Sequence, residues 1–153
     1  MRIIALAVLV LAAFSFAGAE EEKPKVDPNI NYARLGGQEA IDAAVDLFYE
    51  KMLADERVAF FFEDVNMNAQ IRKQKEFLSA AFGGPIPWEG EDMRTAHKNL
   101  DIRPEDFQAV AENLHNTLKD LKVDEALIQE IMTLVGSLKD DVLNRKAESA
   151  QAE

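Results

Sequence analysis

The chain has 153 residues, of which 48% are hydrophobic, a length and composition that allow one domain with a sizeable hydrophobic core. Its 28 acidic residues outnumber its 17 basic ones, and the net charge of −11 excludes the electrostatic attraction by which proteins bind nucleic acid or anionic lipid. The absence of cysteine excludes disulfides, thiolate metal sites and a prosthetic group attached through a Cys-x-x-Cys motif.

The first 19 residues have the pattern of a secretory signal peptide. Arg2 gives a positive start, residues 3–17 are apolar but too few to span a bilayer comfortably, and Ala17-Gly18-Ala19 is a small-residue cleavage site. We therefore predict cleavage after Ala19 and an exported protein, periplasmic or secreted, with no stable membrane association. The alternative is an uncleaved membrane anchor. The charged residues that follow residue 19 at once argue against this alternative. Residues 20–30 are predicted to be an acidic, disordered tether.

From residue 31 to residue 145, apolar residues recur at helical spacing and no alternating strand pattern appears. The sequence therefore predicts an all-α domain over residues 31–145. The inward faces of four predicted helices consist of Ile41, Val45, Phe48 and Met52, of Ile71, Leu78 and Phe82, of Phe107, Val110, Leu114, Leu118 and Leu121, and of Leu127, Ile131, Leu134, Leu138 and Val142.

Several residues mark the ends of these helices. Asn66 and Asp124 are suited to cap helix N-termini, and Pro104 is tolerated at a helix start. Gly83-Gly84-Pro85 should stop the second helix. Residues 146–153 are polar and are predicted to form a disordered tail.

His97 ends a predicted short helix from Glu91 to His97 and is one of only two histidines. Met93, His97 and Leu100 are spaced to share one apolar face. No cysteine, second histidine or acidic cluster is spaced to share a metal with it, so His97 is either a structural core histidine or the ligand of a metal that brings its own macrocycle, which is haem iron. These residues alone favour a structural histidine. His115 lies one step off an apolar stripe and is predicted to be a surface or boundary residue.

The second helix presents polar groups on one face. Gln70, Gln74 and Phe77 share that face, while Tyr49 can bring a hydroxyl to the same place from the preceding helix. Two amides and a hydroxyl that converge in an apolar site are typical of a small-ligand pocket. The alternative, that both glutamines lie in water at the helix edge, remains open on spacing alone.

Three consecutive phenylalanines, Phe60-Phe61-Phe62, cannot all face the same side of a helix. At least one ring must fill a neighbouring cavity or lie against something flat. Core filling is the commoner role of such a run, and a planar aromatic cofactor is the alternative.

Taken together, these residues resemble the truncated haemoglobins, specifically the group I class. The resemblance covers about Asn31 to Val142 and depends on the order and intervals of several short motifs rather than on any one of them. The motifs are Tyr32-Ala33-Arg34-Leu35-Gly36-Gly37, Asp46-Leu47-Phe48-Tyr49, Phe61-Phe62, Ala80-Ala81-Phe82-Gly83-Gly84-Pro85 and Met93-Arg94-Thr95-Ala96-His97.

The resemblance implies a two-over-two helical sandwich that holds haem b, with His97 as the ligand of the iron. It implies that Tyr49 donates a hydrogen bond to the bound ligand and that Gln70 and Gln74 lie on the same distal side. The remaining residues that it assigns to the pocket are Phe61 and Phe62 on the porphyrin, Lys73 beside a propionate, Met93 and Ile102 beside the cofactor, and Phe77 and Leu78 along an apolar ligand path. A solvated surface lysine is the alternative for Lys73.

The function that the resemblance implies is oxygen binding at a five-coordinate iron, for transport or detoxification, with nitric oxide and carbon monoxide as further ligands. The alternative is an enzyme, either a peroxidase or a nitric oxide dioxygenase. The dioxygenase would need a reductase that the sequence does not identify. A helical interaction module without haem is a remote third possibility. The protein is predicted to be a monomer, and an oxygen-binding role is favoured over an enzymatic one.

Overall fold

The computed structural model describes residues 31–145, so the predicted signal peptide, tether and tail lie outside the described residues. Within that range the chain is all-helical, as predicted. The helices are α1 (Asn31–Leu35), α2 (Gly37–Ala54), a 3₁₀ helix (Ala59–Phe62), α3 (Met67–Ala81), α4 (Met93–His97), α5 (Pro104–Asp120), α6 (Glu125–Ser137) and α7 (Lys139–Val142).

The architecture consists of two helix pairs laid across each other. Helix α2 packs on α3, α5 packs on α6, and α2 also packs on α5, which joins the two pairs through one core. The core includes Ile41, Met52, Leu118, Ile128 and Ile131, all of them almost fully buried. The short α4 has α7 as its main packing partner. Within the part of the chain described here, no helix is both long and apolar enough to cross a membrane.

Helix α2 forms as its sequence predicts. It begins after Gly36, which has a φ of 114°, a conformation that residues with a side chain rarely adopt. The predicted stripe, which runs from Ile41 to Met52, is buried against the other helices. Tyr49, next to that stripe, is buried as well and is only 3% exposed.

Both ends of α3 are set by local side chains and glycines. The Asn66 side chain accepts a hydrogen bond from the Ala69 amide at 3.1 Å, which is the predicted N-cap. Beyond Ala81 the chain turns at Gly83, whose φ is 83°. At Gly84 an added Cβ would lie 2.5 Å from the Ser79 Oγ, so the chain can pass this close to α3 only with glycine.

Helix α5 begins at Pro104, as predicted, but its most buried face coincides only in part with the predicted one. The face that includes Ala109, Asn113 and Thr117 is deeply buried. Of the predicted residues, Leu118 is buried, as predicted, whereas Phe107, Val110 and Leu114 are only half-buried. Small residues and hydrogen-bonded polar residues allow α2 to approach this face closely, and the Asn113 Nδ2 donates to Asp55 at the end of α2. The prediction for Leu121 was wrong: it follows the last residue of α5 and is 38% exposed.

The predicted final helix is broken into two. Helix α6 is capped by Asp124, as predicted, but it ends at Ser137, and α7 begins at Lys139. The Ser137 hydroxyl donates to the Leu134 carbonyl at 2.6 Å, and such local bonds compete with continuation of a helix. The inward residue Leu138 therefore lies at the break and is half-buried.

Candidate functional site

Tyr49 is held in place by two aromatic rings. Its ring lies edge-on to Phe48, with centroids 5.3 Å apart, and edge-on to Phe62, with centroids 5.7 Å apart and planes at 89°. Such edge contacts are favoured because the positive edge of one ring meets the negative face of the other. The phenol therefore has a fixed direction within the fold.

The Tyr49 hydroxyl is paired with an amide from the facing helix. Gln70 Nε2 donates a hydrogen bond to Tyr49 Oη at 3.0 Å. Because the hydroxyl accepts this bond, its own proton remains available for donation to another group. Burial raises the pKa of the Tyr49 hydroxyl, and the hydrogen bond from Gln70 offsets this only in part, so the hydroxyl is neutral near pH 7.

The next residues on the same face of α3 extend the site. Gln74 follows Gln70 by one turn and is half-buried, as is Phe77 a turn later. Phe77 meets the edge of Trp88, with ring centroids 5.6 Å apart and planes at 78°. Lys73 is exposed and lines a surface depression of about 480 Å³ together with Trp88. The sequence did not single out Trp88, because it lies in the loop between α3 and α4 and has no periodic neighbours.

The three phenylalanines separate because they form a tight 3₁₀ helix. Phe60 is 49% exposed, and Phe61 packs against it with ring centroids 4.2 Å apart. Phe61 also contacts the core. Phe62 is the ring that reaches Tyr49, so of the three it is the one that the structure brings to the site.

His97 is the last residue of α4 and its ring is half-buried. Its Nδ1 lies 2.7 Å from the Met93 carbonyl oxygen, to which it donates when that nitrogen carries the proton. The lone pair of Nε2 is then left free. The predicted apolar face of this helix was partly wrong: Leu100 lies beyond the end of α4 and is 42% exposed. Ile102 is half-buried in the segment between α4 and α5.

These groups fit haem better than a metal bound by protein side chains alone. Among residues 31–145 no three histidine, cysteine or acidic side chains are grouped to hold a metal ion. One free imidazole nitrogen is enough for a metal whose other ligands come from a macrocycle. Tyr49 and Gln70 lie on α2 and α3, whereas His97 lies on α4, which packs mainly on α7, so the two sets of groups come from different parts of the fold.

Comparison with known proteins gives a consistent result. The sequence profile described as Bacterial-like globin matches residues 30–144. The group 1 truncated hemoglobin of Synechocystis is 48% identical over 120 residues, which are 74% of this chain and 97% of that protein. The group 1 truncated hemoglobin of Chlamydomonas moewusii is 45% identical over 140 residues, which are 88% of this chain and 82% of that protein.

Solved structures agree with these sequence matches. The Fe(III) form of the truncated hemoglobin from Tetrahymena pyriformis superposes with a TM-score of 0.72 at 42% identity, over 74% of this chain and 97% of that one. The cyanomet 2/2 hemoglobin from Synechococcus, which carries covalently attached heme, also has a TM-score of 0.72, at 46% identity over 76% of this chain and 99% of that one. The chain therefore belongs to the group I truncated haemoglobins, two-over-two globins that bind haem iron and small gaseous ligands.

Proposed function

We propose that this globin binds oxygen at a haem iron held by Nε2 of His97, with the Tyr49 hydroxyl donating a hydrogen bond to the ligand. The observation that carries this proposal is the hydrogen bond from Gln70 Nε2 to Tyr49 Oη. It occupies the acceptor side of the hydroxyl and so directs its proton elsewhere. Carbon monoxide and nitric oxide take the same position.

The side chains of the site favour firm retention of a polar diatomic ligand. Haem held by His97 would supply an iron that can bind a diatomic ligand. A hydrogen bond to a charged acceptor contributes about 1.5–3 kcal/mol, which corresponds to roughly 10- to 150-fold slower release. Gln74, one turn from Gln70, offers a second amide donor on the same face of α3.

The assignment of His97 is tested by His97→Ala, with His115→Ala as the matched control on α5. After incubation with hemin, His97→Ala should lose the five-coordinate ferrous spectrum of wild type, and added imidazole should restore an imidazole-ligated spectrum. His115→Ala should match wild type. An unchanged spectrum in His97→Ala, or its loss in His115→Ala, would show that the iron ligand is not His97.

An oxygen-binding role and an enzymatic role differ in turnover. Mixing the oxygenated protein with nitric oxide should yield about one nitrate per haem in a single burst if the protein is a binding protein, because the reaction leaves ferric iron, which needs a reductant before it can bind oxygen again. Sustained nitrate production with a supplied reductase would instead support a nitric oxide dioxygenase. The peroxidase alternative is tested by adding hydrogen peroxide and a peroxidase dye. Sustained oxidation of the dye would support a peroxidase.

We also propose that the protein is exported and monomeric. Export is supported by the signal-like pattern of residues 1–19, and a monomer by the net charge of −11, since like-charged surfaces repel each other. The mass of the protein recovered outside the cytoplasm should correspond to a chain that begins at Glu20. Full-length chain in the membrane fraction would refute cleavage, full-length chain in the cytoplasm would refute export, and a dimer in sedimentation analysis would refute the monomer.

A further inference from the structure

Helix α4, which carries His97, depends on other parts of the chain for its position. It has five residues, fewer than an isolated helix needs to be stable in water. Its start is fixed by Asp92, whose carboxylate accepts hydrogen bonds from the Thr95 amide at 2.9 Å and from the Thr95 hydroxyl at 2.8 Å. Its other end has no such local cap, and its main packing partner is α7.

That other end is held by Asn144, which follows α7. With its amide oriented to satisfy both polar atoms, Asn144 Nδ2 donates to the Arg94 carbonyl at 3.2 Å, and Oδ1 accepts from the Lys98 amide at 3.1 Å. The Arg94 carbonyl and the Lys98 amide are the two groups that would form the next hydrogen bond of the helix. The Asn144 amide lies between them, so it replaces that bond and ends α4 at His97.

A second link joins the same two segments. Arg94 donates from Nη2 to the Asp141 carboxylate at 2.7 Å and from Nη1 to the Arg145 carbonyl at 2.8 Å. One planar guanidinium that reaches two points of the C-terminal segment restricts the angle between α4 and that segment. Both the carboxylate and the guanidinium are partly exposed, so this ion pair contributes more to the orientation of α4 than to the stability of the fold.

The C-terminal segment is itself tied to the helix sandwich. Helix α7 packs on α6 as well as on α4. Lys139 Nζ lies 5.7 Å from the centroid of the Phe107 ring on α5, within the range of a cation–π contact. The backbone at Asn144 is left-handed, with a φ of 52°, which turns the chain back toward α4.

We propose that Asn144 and Arg94 are positioning residues that form a brace between the C-terminal segment and α4, and so fix the direction of the His97 imidazole. The ring is hydrogen-bonded through Nδ1 to the Met93 carbonyl oxygen in the same turn, so a tilt of α4 moves the ring with it. The proposal depends on the proposed function, in which Nε2 of His97 binds the iron. It assigns to residues 139–145 a role in tuning the iron–imidazole bond.

The test compares Asn144→Gly with wild type in the haem-loaded protein. Glycine adopts the left-handed conformation freely, so the variant removes the amide without straining the backbone. Lys122→Gly is the matched control, because Lys122 is also left-handed, with a φ of 57°, and lies in the turn between α5 and α6. Two measurements are made: the iron–histidine stretching frequency of the ferrous protein by resonance Raman spectroscopy, and amide hydrogen exchange over residues 93–98.

In Asn144→Gly the stretching band should shift or broaden, and exchange over residues 93–98 should accelerate roughly tenfold, as expected for the loss of hydrogen bonds to the backbone. Lys122→Gly should leave both unchanged. Asn144→Asp, which keeps the acceptor for Lys98 but not the donor to Arg94, should give an intermediate shift, and it replaces the glycine variant if that variant does not fold. If the stretching band of both Asn144 variants is the same as that of wild type, the brace is overturned but the proposed function is not. Absence of an iron–imidazole band in wild type would overturn the proposed function and the brace with it.

Discussion

Replacing Tyr49 with phenylalanine isolates the contribution of one hydroxyl. The ring keeps its edge contacts with Phe48 and Phe62, so the shape of the pocket should be preserved. The variant removes the hydrogen bond that we propose from Tyr49 to the ligand. At about 1.5–3 kcal/mol for this bond and about 1.4 kcal/mol for each tenfold change in rate, oxygen should dissociate roughly 10- to 150-fold faster. The freed Gln70 amide can turn toward the ligand, so compensation would place the result at the lower end of this range.

The rate is measured by stopped-flow displacement of oxygen with carbon monoxide. Tyr32→Phe is the matched control, because Tyr32 is the only other tyrosine and lies on α1. Since burial raises the pKa of Tyr49, the hydroxyl stays protonated, and the wild-type rate should be constant between about pH 6 and pH 9. A wild-type dissociation rate in Tyr49→Phe, with an intact haem spectrum, would refute the reasoning, as would an equal acceleration in Tyr32→Phe.

Four further substitutions should change stability. Asp55→Ala should lower the free energy of unfolding by about 1–3 kcal/mol at pH 7, because it removes a charged hydrogen-bond partner. Hydrogen bonds from Arg57 hold the pKa of Asp55 below its usual range, so this stabilisation is present above about pH 4 and is lost as the pH falls through the folded-state pKa. Urea unfolding should therefore show a smaller difference between variant and wild type at about pH 3, and an equal difference would contradict this. Gly84→Ala should destabilise the fold, because the new Cβ would lie 2.7 Å from a backbone oxygen, whereas Gly136→Ala, which meets nothing within 4 Å, should stabilise α6. The gain at Gly136 is up to about 1 kcal/mol, and thermal unfolding that ranks the two alanine variants the other way would refute both assignments. Asn66→Ala should lower the free energy of unfolding by about 1 kcal/mol in thermal unfolding, and an unchanged stability would mean that the cap contributes nothing.

The features that could be predicted from the sequence are those set by neighbours in the chain. The buried stripe of α2, the caps at Asn66 and Asp124 and the start at Pro104 depend on residues within one turn of each other, and the structure confirms them. Helix α1 was not predicted, since its five residues are too few to show a period. The break at Leu138 was missed because the apolar spacing continues through it.

Features that depend on distant partners were not accessible in the same way. The most buried face of α5 contains Asn113, whose partner Asp55 lies 58 residues away, so hydropathy alone found Leu118 but missed the polar residues of that face. For the site, helical spacing could place Tyr49 and Gln70 on inward faces. It could not show which of the two donates the hydrogen bond that joins them. The contacts of Asn144 with α4 carry no periodic signal at all.

The one-way hydrogen bond between Gln70 and Tyr49 has a consequence for discrimination among gases. With its lone pair engaged by the amide, the phenol can offer only a proton to whatever arrives beside it. A ligand whose outer atom is a good hydrogen-bond acceptor is bound more tightly, whereas a poor acceptor gains almost no binding free energy. The pocket should therefore favour oxygen over carbon monoxide. In the proposed site, the orientation of a single amide would thus make ligand selectivity depend on polarity rather than on size.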